Sequence, residues 1–190
     1  IKGWCNFPDS CQSYLLPPAS SDFINIGKKF IEEYQRTYGK VHYYLADLFN
    51  ENDAPVSAAT KQSELADFGK SVFDAINAGD PEGTWVMQGW LFYNSRQFWD
   101  KESVKALLSK VPNERMMIID LANEEFHGWE QLDGFFGKPW IYSTIHNYGG
   151  NSQMVGNLPL YAKDAPEMLA NPRKGKVVGF GLSPEGVQNN

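Results

Sequence analysis

Two glutamates stand where the chain turns directly after an apolar, aromatic stretch. Glu51 follows the run 43–50, and Glu185 follows the run 176–182 within the sequence Pro-Glu-Gly. A pair of carboxyl groups suits glycoside hydrolysis, because one protonates the leaving oxygen while the other attacks or stabilises the anomeric carbon. Either glutamate alone fits a solvated rim or turn residue equally well. The hydrolytic interpretation therefore requires both to lie on the same rim of a fold.

Five apolar runs of strand length, separated by helical patterns or long loops, predict a parallel sheet buried on both faces. The runs cover about 41–49, 84–91, 115–121, 139–145 and 176–182. Two architectures fit this order, an open doubly wound sheet and part of a (β/α)₈ barrel. A complete barrel typically needs about 250 residues, and this chain has 190. We interpret 1–190 as a segment of a longer catalytic barrel domain.

Helical periodicity of the apolar residues predicts three helices between these strands. They cover about 21–38, 61–78 and 101–110. Ser21 and Asp22 are N-cap candidates for the first helix, and Gly39 is a plausible stop. The segment 1–21 is rich in proline and serine and is predicted to be an entry loop. The segment 155–173 is predicted to be a loop or a weak helix.

Polar and aromatic side chains follow the end of every predicted strand, where ligands bind in parallel α/β folds. The Asn50 amide can hydrogen-bond a hydroxyl or amide group of a sugar. The Trp90 ring could either stack on a sugar ring or pack in the protein core. Asp47 and Asp120 lie within or at the end of strands, and we expect them to support neighbouring residues through hydrogen bonds. The complete set is Asn50, Glu51, Gln88, Trp90, Tyr93, Asp120, Asn123, Glu124, His146, Asn147, Tyr148 and Glu185.

Composition and motif content argue against several other classes of protein. The formal charge is −6 and lysine and arginine form no cluster, so nucleic acid and anionic membranes are not expected partners. No apolar run reaches membrane-spanning length. The three histidines occur in no H-x-H or H-E-x-x-H spacing, and no nucleotide or serine-hydrolase motif is present. We therefore expect neither a metal nor an organic cofactor. Pairing between Cys5 and Cys11 is left open.

Six motifs occur in order along nearly the whole chain. They are Tyr14-Leu-Leu-Pro-Pro, Ala46-Asp-Leu-Phe-Asn-Glu51, Gln88-Gly-Trp-Leu-Phe92, Ile119-Asp-Leu121, His146-Asn-Tyr-Gly-Gly-Asn151 and Gly181-Leu-Ser-Pro-Glu-Gly186. With these motifs the sequence resembles the α-N-acetylglucosaminidases of glycoside hydrolase family 89. The resemblance implies a retaining enzyme with a barrel-type catalytic domain and no cofactor. Its substrate would be a glycan, of heparan sulfate or mucin type, with a terminal non-reducing α-linked N-acetylglucosamine.

The resemblance also implies roles for individual residues. Glu51 matches the general acid/base of the Phe-Asn-Glu motif, and Glu185 matches the nucleophile of the Pro-Glu-Gly motif. Residues that match sugar-pocket positions are Asn50, Trp90, His146 and Tyr148, with Leu121 as an apolar neighbour and Trp4 as a further candidate. The remaining parts of the parent catalytic protein are expected partners. The residues themselves give almost no signal for location, and the expected location is secreted, periplasmic or lysosomal.

The chain departs from the family pattern at 122–127 and 152–172, in loops expected to touch the leaving group. Three alternatives stay open. They are another retaining exo-glycosidase, a carbohydrate-binding barrel that no longer turns over, and a metal-dependent hydrolase on the same fold. A retaining mechanism places the two carboxyl groups about 5–5.5 Å apart, whereas inversion requires about 6.5–9.5 Å.

Overall fold

The computed structural model describes residues 7–12, 14–18, 20–145 and 157–183. In these residues five strands form one parallel sheet in the order β1-β2-β3-β4-β5. The strands are β1 (Tyr43–Leu45), β2 (Thr84–Gln88), β3 (Met116–Asp120), β4 (Pro139–Thr144) and β5 (Lys176–Leu182). The helices are α1 (Ser21–Tyr38), α2 (Lys61–Gly79), α3 (Trp90–Asn94), α4 (Lys101–Ser109), α5 (Gly128–Gln131) and α6 (Leu158–Ala170). Strands and helices alternate as in a (β/α)₈ barrel, which confirms the predicted fold class.

Two of the predicted strands end three or four residues earlier than predicted, whereas the bounds of β3 and β4 differ from the prediction by no more than one residue at either end. β1 ends at Leu45, because the chain beyond it is held by turns and side-chain hydrogen bonds. β2 ends at Gln88, and Trp90 begins the short helix α3 instead of continuing the strand. The apolar run 84–91 hid this boundary, because a short apolar run cannot be assigned to strand or helix by periodicity. β5 has the predicted bounds.

The helix ends follow ordinary capping chemistry. The N-cap of α1 is Ser20, whose hydroxyl accepts a hydrogen bond from Phe23 N at 3.2 Å, so the predicted caps at Ser21 and Asp22 were wrong. Gly39 ends α1 with φ 89°, as predicted for a residue that leaves the helix in the left-handed region. The weak segment before β5 forms the thirteen-residue helix α6, capped by Asn157.

The core lies on the face of the sheet that α2 and α4 cover. On this face, Trp85 and Met87 of β2 and Ile118 of β3 are fully buried. Burying one large apolar side chain contributes roughly 1.5–3 kcal/mol to the stability of the fold. Along β2 and β3, buried residues alternate with half-exposed ones. The expectation of burial on both faces is therefore corrected for these residues. The second face, which points to the axis in a barrel, is only half covered.

Side chains at the amino ends of the strands hold this face of the sheet together. The Tyr44 hydroxyl donates to Asp80 Oδ2, and His42 Nδ1 lies 2.8 Å from the same oxygen. Burial alone would raise the pKa of Asp80, but hydrogen bonds from Tyr44, the Glu82 N–H and His42 outweigh it and lower that pKa. The amino end of β1 is thereby tied to the end of α2.

Both edges of the sheet expose apolar surface. A groove of about 580 Å³ runs between α1, β1 and α2, and Leu45 is 64% exposed on β1. On β5, Val178, Phe180 and Leu182 are exposed. None of the helices described here has the length and apolarity needed to cross a bilayer. Cys11 is a free, exposed thiol, and Cys5 lies outside the described residues.

Candidate active site

Glu51 lies exposed in a turn of the segment that follows the carboxyl end of β1. Phe49 sets this turn, with a left-handed backbone (φ 52°) and a buried ring packed edge-on to Phe68 at 5.2 Å between centroids. The N–H of Asn52 donates to Phe49 O at 3.2 Å and closes the turn. A left-handed backbone is strained for a bulky residue and persists only where packing fixes it.

Asn50 carries an unsatisfied acceptor next to this exposed carboxyl group. Its Oδ1 atom is buried and has no hydrogen-bond partner in the part of the chain that the structure describes. An acceptor buried without a donor costs about 1–3 kcal/mol. A hydroxyl or amide N–H of a bound molecule would satisfy it, as expected of a pocket residue.

The ends of β1 and β2 are joined by Asp47. Its Oδ1 accepts from Gln88 N at 3.1 Å, and its Oδ2 accepts from Gln88 Nε2 at 2.5 Å. Beside it, the indole N–H of Trp85 donates to Ala46 O at 2.7 Å. These hydrogen bonds hold the segment that leads into Asn50 in a fixed position relative to the segment that leads into Trp90.

Trp90 is half-buried at the first position of α3. The preceding Gly89 donates its N–H to Ile119 O at 2.8 Å, and a Cβ at Gly89 would lie 3.2 Å from the same oxygen. Glycine therefore allows the end of β2 to approach β3 closely. Leu121, half-buried directly after β3, lies on the same rim.

Asp120 at the end of β3 is buried and accepts a hydrogen bond from Trp129 N at 3.1 Å. Burial raises its pKa to about 7, against the opposing effect of hydrogen bonds from Trp129 and Asn123. A Cβ at Gly128 would lie 2.5 Å from Asp120 Oδ1, so glycine makes room for this carboxyl group. Asp120 therefore organises the loop after β3.

The end of β4 is held by side chains from the preceding loop and from α6. Glu124 Oε1 accepts from Ile145 N at 2.9 Å. The Tyr142 hydroxyl donates to Asp164, and His127 Nε2 lies 3.0 Å from that carboxylate. These contacts fix the backbone at the residue before His146.

The end of β5 is tied to the end of β4. Ser183 N donates to Thr144 O at 2.8 Å, and the Ser143 and Ser183 hydroxyl oxygens lie 2.8 Å apart. Ser183 precedes Glu185 by two positions. β1 and β5 lie at opposite edges of the sheet, so a flat sheet would separate their ends by about 19 Å, or four strand spacings. Closing such a sheet into a barrel would bring the two ends toward each other.

The structure places Asn50, Glu51, Trp90 and Leu121 at the carboxyl ends of three adjacent strands, as the sequence predicted. The other predicted site residues lie outside the described residues, namely Trp4, His146, Tyr148 and Glu185. No cluster of three or more His, Cys, Asp or Glu side chains with metal-binding geometry occurs within 7–12, 14–18, 20–145 and 157–183.

The sequence placed Tyr93 at the rim but did not reveal that it groups with Phe126 and Arg96. The rings of Tyr93 and Phe126 lie 5.7 Å apart between centroids, with the Arg96 guanidinium over both. Tyr93 lies in α3 and Arg96 in the turn that follows it, so their closeness in sequence was the only available signal. Phe126 is thirty positions further on and could not be linked to them without the strand register.

Five parallel strands with a polar rim at their carboxyl ends define a partial α/β barrel, a fold whose ligands bind at that rim. All of the chain, residues 1–190, matches the alpha-N-acetylglucosaminidase (NAGLU) tim-barrel domain. The chain belongs to this family. It is also 36% identical to human alpha-N-acetylglucosaminidase over 188 residues, which are 99% of this chain and 25% of the human protein.

Solved structures share the fold. A family 89 glycoside hydrolase from Clostridium perfringens bound to PUGNAc superposes with a TM-score of 0.67 at 24% identity, covering 93% of this chain and 18% of that one. A double Glu-to-Gln variant of CpGH89 from Clostridium perfringens, in complex with its substrate GlcNAc-alpha-1,4-galactose, gives a TM-score of 0.67 at 22% identity, with the same coverage. The chain thus spans less than a fifth of those proteins.

Proposed function

We propose that the protein containing this chain is a retaining exo-glycosidase that removes terminal α-linked N-acetylglucosamine from glycans. The observation that carries the proposal is the family match over residues 1–190 together with an exposed Glu51 on the catalytic rim. The unsatisfied Asn50 oxygen beside it supports a sugar-binding role. The human relative bears the name of this activity.

The mechanism is a double displacement. Glu185 attacks the anomeric carbon and forms a glycosyl-enzyme ester, while Glu51 transfers its proton to the departing glycosidic oxygen. Glu51, now ionised, takes a proton from water, which attacks the anomeric carbon and releases Glu185. Two inversions leave the sugar in its original α configuration.

The exposure of Glu51 and the fixed ends of β4 and β5 fit these two roles. A proton donor must reach the leaving oxygen, and Glu51 has no hydrogen-bond or ion-pair partner in the described residues that would hold it away. A nucleophile must be held in position, and Ser183 anchors the chain two positions before Glu185 to Thr144 O.

The test is hydrolysis of an aryl α-N-acetylglucosaminide by the full-length protein and by Glu51→Gln and Glu185→Gln. We expect each variant to lose about 10²-fold or more of kcat. Azide should restore turnover in Glu185→Gly and give a glycosyl azide of the opposite anomeric configuration. Proton NMR of the first-formed sugar should show the α anomer in the unmodified protein.

A matched control is Glu82→Gln, which changes an exposed glutamate at the amino ends of the strands and should leave kcat within a factor of two. An inverted first product would overturn the double displacement. Full turnover by Glu51→Gln or Glu185→Gln would overturn the role assigned to that residue. Sugar binding without hydrolysis by the unmodified protein would favour the binding barrel.

A further inference from the structure

An aromatic strip leads away from Trp90 along the carboxyl ends of β2 and β3. The ring centroids of Trp90 and Tyr93 are 5.2 Å apart, and those of Tyr93 and Phe126 are 5.7 Å apart. Trp90 and Tyr93 belong to α3, whereas Phe126 lies in the loop after β3. The strip therefore joins α3 to the loop after β3, and all three rings are half-buried, with part of each exposed.

Arg96 lies over the outer part of this strip. Its Cζ atom is 5.0 Å from the Phe126 ring centroid and 5.5 Å from that of Tyr93. Cation–π attraction to both rings holds the guanidinium in place. Arg96 is exposed, and none of its five N–H donors has a hydrogen-bond or ion-pair partner elsewhere in the described chain. The strip thus presents a positioned cation to solvent.

A cavity of about 360 Å³ opens beside Arg96 and Phe126. Two other charged residues line it, and both already have partners. Lys101 Nζ lies 2.6 Å from Asp133 Oδ2, and Asp100 Oδ1 accepts from Ser103 N at 2.8 Å at the start of α4. Arg96 and Asp100 therefore have no salt-bridge partner among the described residues, and of these two charges only Arg96 also lacks a hydrogen bond there.

We propose that Tyr93, Phe126 and Arg96 bind the leaving-group part of the substrate, and that Arg96 pairs with an anionic group on it. The inference rests on the proposed function, because it assumes that the terminal sugar binds next to Trp90. An exo-acting pocket holds the terminal sugar, so a strip that leads out of it meets the next sugar of the glycan. Aromatic rings accept the apolar face of that sugar.

The chemistry of the guanidinium defines the ligand. Its planar fork of donors matches two oxygens of one carboxylate or sulfate ester. A uronic acid and a sulfated neutral sugar share this chemistry, and a neutral sugar lacks it. The strip therefore confers a preference for acidic glycans beyond what the terminal sugar pocket provides.

The test compares kcat/KM of the full-length protein on three disaccharides with the same terminal sugar. They are GlcNAc-α-1,4-glucuronic acid, GlcNAc-α-1,4-galactose and the latter with a 6-sulfate on galactose. We expect at least one acidic disaccharide to be preferred over the neutral one by about tenfold, because a charge-assisted hydrogen bond is worth roughly that factor or more. The acidic disaccharide that is preferred identifies the group bound.

Arg96→Gln should bring the acidic-to-neutral ratio close to one, and Arg96→Lys should restore only part of it. The matched control is Arg36→Gln, which removes an exposed arginine from α1 and should keep the ratio of the unmodified protein. An equal ratio in Arg96→Gln and the unmodified protein overturns the inference, as does a neutral preference in the unmodified protein.

Binding separates this inference from the proposed function. Isothermal titration of the full-length Glu51→Gln protein with the same disaccharides measures affinity without turnover. If the unmodified protein hydrolyses none of the three, the proposed function fails. The anionic site still stands if the acidic disaccharide binds about tenfold more tightly and the added Arg96→Gln change removes that difference. Equal affinities would overturn it.

Discussion

At the scale of single residues, Asp120 makes folding depend on pH. Its pKa is about 7 in the folded protein because of burial, against about 3.9 in an unfolded chain. Folding therefore favours the protonated carboxyl group. Its contribution to stability is complete below about pH 4, and it is lost as the pH rises through about 7.

We predict that Asp120→Asn removes this pH dependence, because an amide stays neutral and its oxygen can still accept from Trp129 N. The measured quantity is the unfolding temperature of the unmodified protein minus that of the variant. This difference should decrease as the pH rises from about 4 to about 7, and it should stay constant at higher pH. The control is Asp133→Asn, an exposed carboxylate paired with Lys101. A difference that stays flat over this range would contradict the assignment.

Asp47 is the second residue whose substitution should change both stability and the geometry of the rim. Asp47→Asn keeps one acceptor oxygen but turns an N–H₂ group toward a Gln88 donor. We expect a loss of about 2 kcal/mol in the free energy of unfolding. Because Gln88 is two positions before Trp90, we also expect about a tenfold loss of kcat/KM from misplacement.

Asp67→Asn is the matched control for Asp47→Asn, since its carboxylate pairs with Lys110 at the surface. Surface pairs contribute little, so its stability should change by less than about 1 kcal/mol. Chemical denaturation and steady-state kinetics provide both readouts. If Asp47→Asn matched this control in both, the two hydrogen bonds to Gln88 would be of no consequence.

At the scale of elements, the close approach of α2 and α4 depends on Gly69. A Cβ there would lie 1.9 Å from Leu107 O, which is backbone and cannot rotate away. We predict that Gly69→Ala forces the two helices apart and destabilises the protein by about 1–3 kcal/mol or more. The midpoint of thermal unfolding measures this loss.

Gly179→Ala is the matched substitution, because its Cβ would find its nearest neighbour, Ile141 Cγ1, at 3.7 Å. That is ordinary contact, so the unfolding midpoint should stay within about 2 °C, the shift of a small surface change. Equal losses in the two variants would show that the α2–α4 contact is not limited by backbone approach.

Elements were predictable from the sequence where one signal governed them. The periodicity of α1 and the apolar run of β5 each gave the element with its observed bounds. The α3 boundary was not predictable, because Trp90 to Phe92 suits a strand and a helix equally. At the rim, the motif positions of Asn50 and Glu51 were predictable. The partners of Asp47 and Arg96 were not, because they depend on which loops the sheet brings together.

At the scale of the whole molecule, the apolar edges of the sheet require cover. Leu45 is 64% exposed, Phe180 56% and Leu182 71%, on strands whose outer backbone edges have no neighbouring strand among the described residues. Large exposed apolar patches and open strand edges promote association. The relatives are several times longer than this chain, so further barrel strands are the natural cover.

We predict that residues 1–190 expressed alone self-associate and hydrolyse no aryl α-N-acetylglucosaminide, whereas the full-length protein does. Phe180→Ser should lower association of the segment, measured by light scattering, because it removes an exposed ring. In the full-length protein the same change should cost about 3–5 kcal/mol of stability, since additional strands would bury that ring. A monomeric segment, or a harmless Phe180→Ser in the full-length protein, would show that this edge stays open. Phe180→Ser is thus expected to improve the behaviour of the isolated segment and to destabilise the full-length protein. This pair of results would distinguish an edge that further barrel strands cover from a surface that stays exposed to solvent.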